Sequence, residues 1–270
     1  MPPIHISLRA ENIFHIFQIP ISNSLLTTWL VMVFLILISL ISYTRLSMIP
    51  GKWQLILELL IGGFYSFFKE ILDENTDKYF GYVMTLFIFI IFVNWSGILP
   101  GVGTIGLYSQ EENKTPDKVF AASRSLQSAE GKNIENHSSL YTPLFRAGTA
   151  DLNMTLSLAI LTIAYVQYAG LSALGTKYLS KFFNFSNPIN FVVGILEIIS
   201  ELSRIISFAF RLFGNIFAGE VLLTVISFLA PILAPVPFLG LELFVGFIQA
   251  LVFAMLTSVF FSLATHHADY

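Results

Sequence analysis

Cysteine is absent from the 270 residues, and with it go disulfides, thiolate metal sites and thiol chemistry. Charge is scarce: 11% of the residues are Asp, Glu, Lys or Arg, where a soluble domain carries about a quarter. A formal net charge of −3 without any basic stripe argues against nucleic acid as a partner. No glycine-rich phosphate loop occurs, so no ATP site, no cofactor and no metal is expected. The amino terminus carries His5, Arg9, Glu11 and His15 before any apolar run. It lacks the basic, apolar, small-residue order of a cleavable signal, so the first apolar run is expected to stay in the mature protein. What the chain does have is apolar surface. Hydrophobic residues make up 55% and the mean hydropathy is +0.75, the signature of a single integral membrane domain over residues 1–270.

Residues 25–43 are free of charge and long enough to cross a bilayer as a helix, which takes about 20 residues. Residues 53–72 differ. Glu58, Lys69 and Asp73 fall within about 60° on a helical wheel, which suggests an amphipathic helix lying in the membrane interface. Residues 79–99 form the second clear span, ending at Asn94-Trp95-Ser96-Gly97-Ile98-Leu99-Pro100-Gly101, where proline and glycine stop a helix. Residues 101–150 read as a polar, mobile loop with few apolar positions. A third span covers residues 152–176, and Asn187-Pro188 opens the next helix.

The last two helices are too long to stand upright. Residues 189–230 would extend about 63 Å and residues 238–265 about 42 Å, against a hydrocarbon core of about 30 Å. The proline-rich segment from Pro231 to Pro237 makes them a hairpin, and the mismatch calls for strong tilt. The expected fold is therefore all-α and membrane-embedded. It has about five spanning helices, one interfacial helix, and a tilted hairpin over residues 188–267.

The chemistry sits in that hairpin. Arg211 cannot lose its proton inside a protein, and a charge at bilayer depth costs at least about 2.5–3.5 kcal/mol. Such a residue must face protein or water. Counting about 100° per residue from Arg211, Glu197, Ser200, Arg204, Ser207 and Asn215 all lie within about 40° of it, while Glu201 and Ser203 fall off that stripe. Glu220 lies about 180° away. On the second helix Glu242 and Gln249 share a face within about 20°. Glu242 is the only charge between Glu220 and Asp269, and a lone intramembrane carboxylate marks an ion path by default. Two carboxylates brought to one depth by the hairpin would share a proton. His266 and His267 read as interfacial residues.

The motif Arg211-Leu212-Phe213-Gly214-Asn215 followed by Ala218-Gly219-Glu220 closely resembles the signature of subunit a of the F-type ATP synthases. The likeness extends from Pro188 through Glu197 and Ser200 to Glu220. It continues from Glu242 to Phe261 around Gly246-Phe247-Ile248-Gln249-Ala250, with weaker matches at residues 94–100 and 150–155. The resemblance implies a stator subunit with two offset half-channels. Arg211 would face a rotating ring of c subunits, with Asn215 and Gln249 beside it. Glu220 and Glu242 would line the outer half-channel; Glu197, Ser200 and Ser207 would line the inner one. Where the family often pairs an acid with a histidine, both positions here are glutamates.

By the same resemblance the partners are the c ring, the peripheral-stalk subunit b, further ATP synthase subunits and membrane lipid. The basic residues of the connecting segments divide six against six between the two sides, so charge bias alone leaves the orientation open. The resemblance puts residues 1–24 and 101–150 outside and the carboxyl terminus in the cytoplasm. A bacterial plasma membrane is expected, with an organellar inner membrane as the alternative. Two rival readings remain at this point. A secondary transporter should show internal repeats, which are not evident, and a proton-channel subunit of a respiratory complex should carry lysines inside its spans.

Overall fold

The computed structural model describes residues 12–16, 19–48, 50–99, 102, 105–109, 140–182, 188–230 and 234–265. Two short antiparallel ribbons accompany the helices: β1 (Asn12–Ile16) pairs with β2 (Ile19–Ser22), and β3 (Gly106–Ser109) with β4 (Leu140–Pro143). The helices are α1 (Asn23–Thr44), α2 (Lys52–Leu72), α3 (Thr76–Ser96), α4 (Leu152–Leu174), the short α5 (Thr176–Ser180), α6 (Pro188–Leu229) and α7 (Pro235–Thr265). Among the described residues, five stretches can cross a membrane by length and composition: Asn23–Thr44, Lys52–Ser96, Leu152–Leu174, Ile189–Leu229 and Pro235–Thr265. The chain is an all-α integral membrane protein.

Local chemistry explains where these helices begin and end. The Ser22 hydroxyl accepts the Leu25 amide (3.4 Å) and caps α1, and Asp151 accepts the Asn153 amide (3.0 Å) and caps α4. Each satisfies a backbone N–H that has no partner within the first turn. Gly175 ends α4 at φ 61°, a conformation that suits glycine. Pro188 opens α6 where its missing N–H costs nothing.

The prolines explain one difference from the sequence reading. α7 begins at Pro235 rather than near residue 238, because Pro235 and Pro237 both fit in a first turn. The hairpin connection is correspondingly shorter. α6 has 42 residues and α7 has 31, about 63 and 46 Å at 1.5 Å per residue.

The helices lock together through aromatic contacts and small side chains. Tyr79 of α3 stacks on Phe261 of α7 at 4.5 Å, and Phe208 of α6 meets Phe253 of α7 edge-on at 4.6 Å. Ala159 and Ala169 of α4, Ala209 of α6, and Ala250 and Ala254 of α7 are all buried. Lipid is as apolar as leucine, so close backbone approach through small residues replaces the hydrophobic drive of a soluble core. α2 turns at Asp73 (φ 50°) and lies against α3. Phe64 packs on Phe87 at 4.6 Å, and the Tyr65 hydroxyl donates to Asp77 Oδ1 (2.6 Å). Leu55, Ile56 and Leu59 of α2 remain exposed.

The segment expected to be a mobile loop is partly structured. β3 and β4 hold its two arms, residues 110–139 lie outside the described residues, and Arg146 to Asp151 are buried. The tight point is Gly148, in a 3₁₀ turn over Gly148–Ala150. A Cβ there would run into Thr28 Oγ1 and come within 2.8 Å of a Val93 methyl. Polar contacts then tie three helix ends together. The Ser24 hydroxyl donates to Asp151 Oδ2 (2.8 Å), Thr149 donates to Asn94 Oδ1 (2.8 Å), and Asn94 donates to the Gly246 carbonyl (3.1 Å). At the other end of α3, Asn75 donates to Thr265 of α7 (3.2 Å). The start of α1 and residues 140–151 therefore share one end of the bundle, with the end of α7 at the opposite one. Gly148→Val should lower the thermal unfolding midpoint of the detergent-solubilised protein, by an overpacking cost of about 1–3 kcal/mol. Gly81→Ala is the control, since a Cβ on Gly81 meets nothing within 4 Å; its midpoint should stay at or above the native one.

Candidate ion pathway in the membrane

Helix periodicity carries Arg211 onto a stripe that the chain itself leaves uncovered. Ser207, Asn215, Ala218, Leu222 and Val225 are exposed at spacings of three and four residues around it, and Arg211 is half-buried. Its guanidinium lies 5.9 Å from the ring centre of Phe208, one turn back on the same helix. Among the described residues Arg211 forms no ion pair. Beside it the Asn215 amide donates to Gln249 Oε1 at 2.6 Å, so two of the expected site residues meet across the hairpin. Gln249 is buried, and its Nε2 has no hydrogen-bond partner among the described residues.

Toward the amino-terminal end of α6, four charges compensate one another. Lys181, in the connection after α5, reaches Glu197 Oε1 at 2.7 Å and Glu201 Oε1 at 3.8 Å. Arg204 reaches Glu201 at 2.6 Å and Glu197 at 4.0 Å, and also lies 4.8 Å over the ring of Phe260. Two cations and two carboxylates leave no net charge there. Glu201 fell off the polar stripe on the wheel. Nevertheless it joins the cluster, because residues three apart are neighbours on a helix and a guanidinium spans the remaining angle. Its Oε2 is buried without a partner among the described residues. Tyr178, on α5 and outside the spans, donates to Gln167 Oε1 (2.6 Å). Burial, and secondarily the negative charge of Glu201, pushes its phenol up to about 12, so it stays a neutral donor. Ser200 is half-buried and Ser207 exposed on the face next to this cluster.

Beyond Arg211 the other two expected carboxylates sit close together on the facing helices. A Cβ on Gly219 would lie 3.0 Å from Glu242 Oε1, so Glu242 packs against α6 next to Glu220. Glu220 itself is held elsewhere. Arg146 Nε lies 3.0 and 3.1 Å from its two oxygens, and Arg146 Nη2 lies 3.1 Å from Oε2. The sequence reading paired Glu220 with Glu242; the ion-pair partner of Glu220 is the arginine, since a guanidinium fork matches both carboxylate oxygens at once. Glu242 Oε2 is buried with no partner among the described residues.

Arg146, Lys181, Glu201 and Asn94 were not among the expected site residues. Arg146 and Glu220 are 74 positions apart, and no periodicity links a connecting segment to a helix face. The available signal was a lone arginine set between Leu144-Phe145 and Ala147, just before Asp151. His5, His266 and His267 lie outside the described residues.

Comparison with known proteins covers nearly the whole of this architecture. The family described as ATP synthase A chain matches residues 25–262. ATP synthase subunit a of Moorella thermoacetica is 31% identical over 260 residues, which is 96% of this chain and 98% of that protein. The subunit a of Desulfotalea psychrophila is 32% identical, over 89% of this chain and 83% of its own length. That of Legionella pneumophila subsp. pneumophila is 31% identical, over 92% and 88%. The family match runs from the first turn of α1 to the last turn of α7, and the relatives cover most of the chain: the chain belongs to the ATP synthase subunit a family.

Proposed function

We propose that this subunit a provides two offset half-channels on either side of Arg211 and so couples transmembrane proton flow to rotation of a c ring. The observation that carries the reading is the contrast between the cations of the hairpin region. Arg204 and Lys181 face two carboxylates, and Arg146 clasps Glu220. Arg211 alone stands on an uncovered helix stripe without an ion pair among the described residues. A half-buried cation at membrane depth with no counter-charge among the described residues calls for an anion on a partner.

The mechanism follows from the cost of charge in lipid. A ring carboxylate must be neutral while it faces hydrocarbon. Facing Arg211 it meets a fixed positive charge, which favours its ionised form, and it gives up its proton. That proton leaves through one half-channel, and the carboxylate reloads from the other after passing. Protons cannot cross directly from one half-channel to the other, because Arg211 repels them, so net flow requires the ring to turn. The driving term is about 2.3 kcal/mol per elementary charge per 100 mV.

Glu197, Ser200 and Ser207 line the inner passage, Glu220 and Glu242 the outer one, and Asn215 with Gln249 holds the two helices together beside Arg211. The other partners are subunit b and membrane lipid, in a bacterial plasma membrane. Residues 1–24 and 101–150 face outward.

Arg211→Ala should abolish ATP-driven acidification of everted vesicles while leaving the complex assembled. Arg211→Lys should fail as well, because an ammonium loses its proton more readily when buried and lacks the guanidinium fork. Native acidification in either variant would end this reading.

Glu220→Gln and Glu242→Gln should each slow acidification. The double variant should cost less than the sum of the singles, as expected for two groups on one path. Native rates in both singles would make these glutamates packing residues.

Replacing residues 110–139 by a short turn between β3 and β4 should leave acidification near the native rate. An assembled complex that no longer pumps would give that segment a part in conduction.

A further inference from the structure

We infer that Arg146 is a positioning residue of the outer half-channel: it holds Glu220 as a fixed element of the wall and leaves Glu242 as the carboxylate that takes up and passes on the proton. The inference rests on the reading of Glu220 and Glu242 as outer half-channel residues, and it assigns them different tasks. Three observations carry it.

The first is how firmly the arginine is held. Arg146 is 7% exposed although it belongs to a connecting segment. Its amide donates to Thr27 Oγ1 of α1 (3.3 Å), and the residues after it run buried into the crowded turn at Gly148. The backbone that carries the guanidinium is thus part of the packed bundle.

The second is the geometry of the pair. The guanidinium engages both oxygens of Glu220 within 3.0–3.1 Å. Charge-assisted bonds of this kind are short, strong and directional. For Glu220 to accept a proton it would have to give up part of that bonding.

The third is the state of the neighbouring carboxylate. Glu242 has one oxygen against Gly219 and the other buried without a partner among the described residues. An open acceptor on a carboxylate is what a relay needs. The proton balance is simple: Glu242 accepts one proton from water on the outer side and passes it to a ring carboxylate. It then returns to its starting form, and Glu220 keeps its bonds to Arg146 throughout.

Double-variant kinetics separate this division of labour from a shared relay. The experiment measures ATP-driven acidification in everted vesicles carrying the whole complex, with rates normalised to assembled complex. Arg146→Gln leaves the partly exposed Glu220 carboxylate without its counter-charge and should slow pumping about tenfold, since the buried guanidinium supplies the hydrogen bonds that hold that carboxylate in place. Arg146→Lys keeps the charge but loses the fork, and should recover part of that loss. Combining Arg146→Gln with Glu220→Gln should raise the rate about tenfold above Arg146→Gln alone, because no stranded charge remains and Glu242 still relays. Adding Glu242→Gln to that pair should remove the rescue.

A double variant no faster than Arg146→Gln would show that Glu220 itself carries protons, and native pumping in Arg146→Gln would show that the arginine positions nothing. Either result overturns the inference while leaving the half-channel reading standing. Native pumping in Glu242→Gln and Arg211→Ala would instead overturn the half-channel reading itself.

Discussion

The structure is organised around the cost of charge inside a membrane. Among the described residues four basic side chains lie at the long hairpin, and three of them are compensated by carboxylates. Lys181 and Arg204 meet Glu197 and Glu201, and Arg146 meets Glu220. Each pair stitches a connecting segment or a helical turn to α6, so the compensation also shapes the fold. Lys181 anchors the segment between α5 and α6, and Arg146 brings residues 140–151 down onto the helix bundle. Removing either cation would loosen the path by which the chain enters or covers α6.

Much of this fold was legible because helices in lipid must satisfy their own backbone. That constraint makes length and hydropathy reliable guides, and the five candidate spans follow from them. The beginning of α6 was legible from Pro188, and the hairpin from the cluster of prolines before α7. The prolines misled only in detail, since a proline that starts a helix and one that precedes it look alike in sequence. The two short ribbons were not legible. The arms of β3 and β4 are four residues each, too short for alternation to register, and they lie on either side of a long polar stretch.

The candidate site was legible in proportion to how local its geometry is. The wheel placed Ser207, Arg211 and Asn215 on one stripe because one helix fixes their angles, and the structure keeps that stripe together. The hairpin also made an approach of Glu242 to the Glu220 region foreseeable. What stayed hidden were the contacts that close long loops. Arg146 on Glu220, Asn94 on Gly246 and Ser24 on Asp151 join positions 74, 152 and 127 residues apart. Such contacts depend on how helices dock, and a single sequence carries no period that reports docking. Glu201 joined the charge cluster for a different reason. The wheel locates a Cβ, whereas a long charged side chain reaches its partner from a turn away.

The compensated charges also give Arg211 its meaning. Had the chain simply tolerated arginines at membrane depth, Arg204 would resemble Arg211, for it lies one heptad earlier on nearly the same face. It does not: Arg204 is drawn toward two carboxylates and the Phe260 ring. The arrangement therefore keeps competing cations out of the surface that Arg211 presents. The rotary mechanism proposed above requires a single positive site that a passing carboxylate meets once per step. A second uncompensated cation seven residues away, about 10 Å along the helix, would hold a ring carboxylate in its ionised form before it reached its exit. On this view the charge cluster on the amino-terminal side of α6 and the Arg146 clasp beyond Arg211 serve one end. In the proposed mechanism they would confine positive potential on the exposed stripe to one residue, so that ionisation and ring position would stay in step.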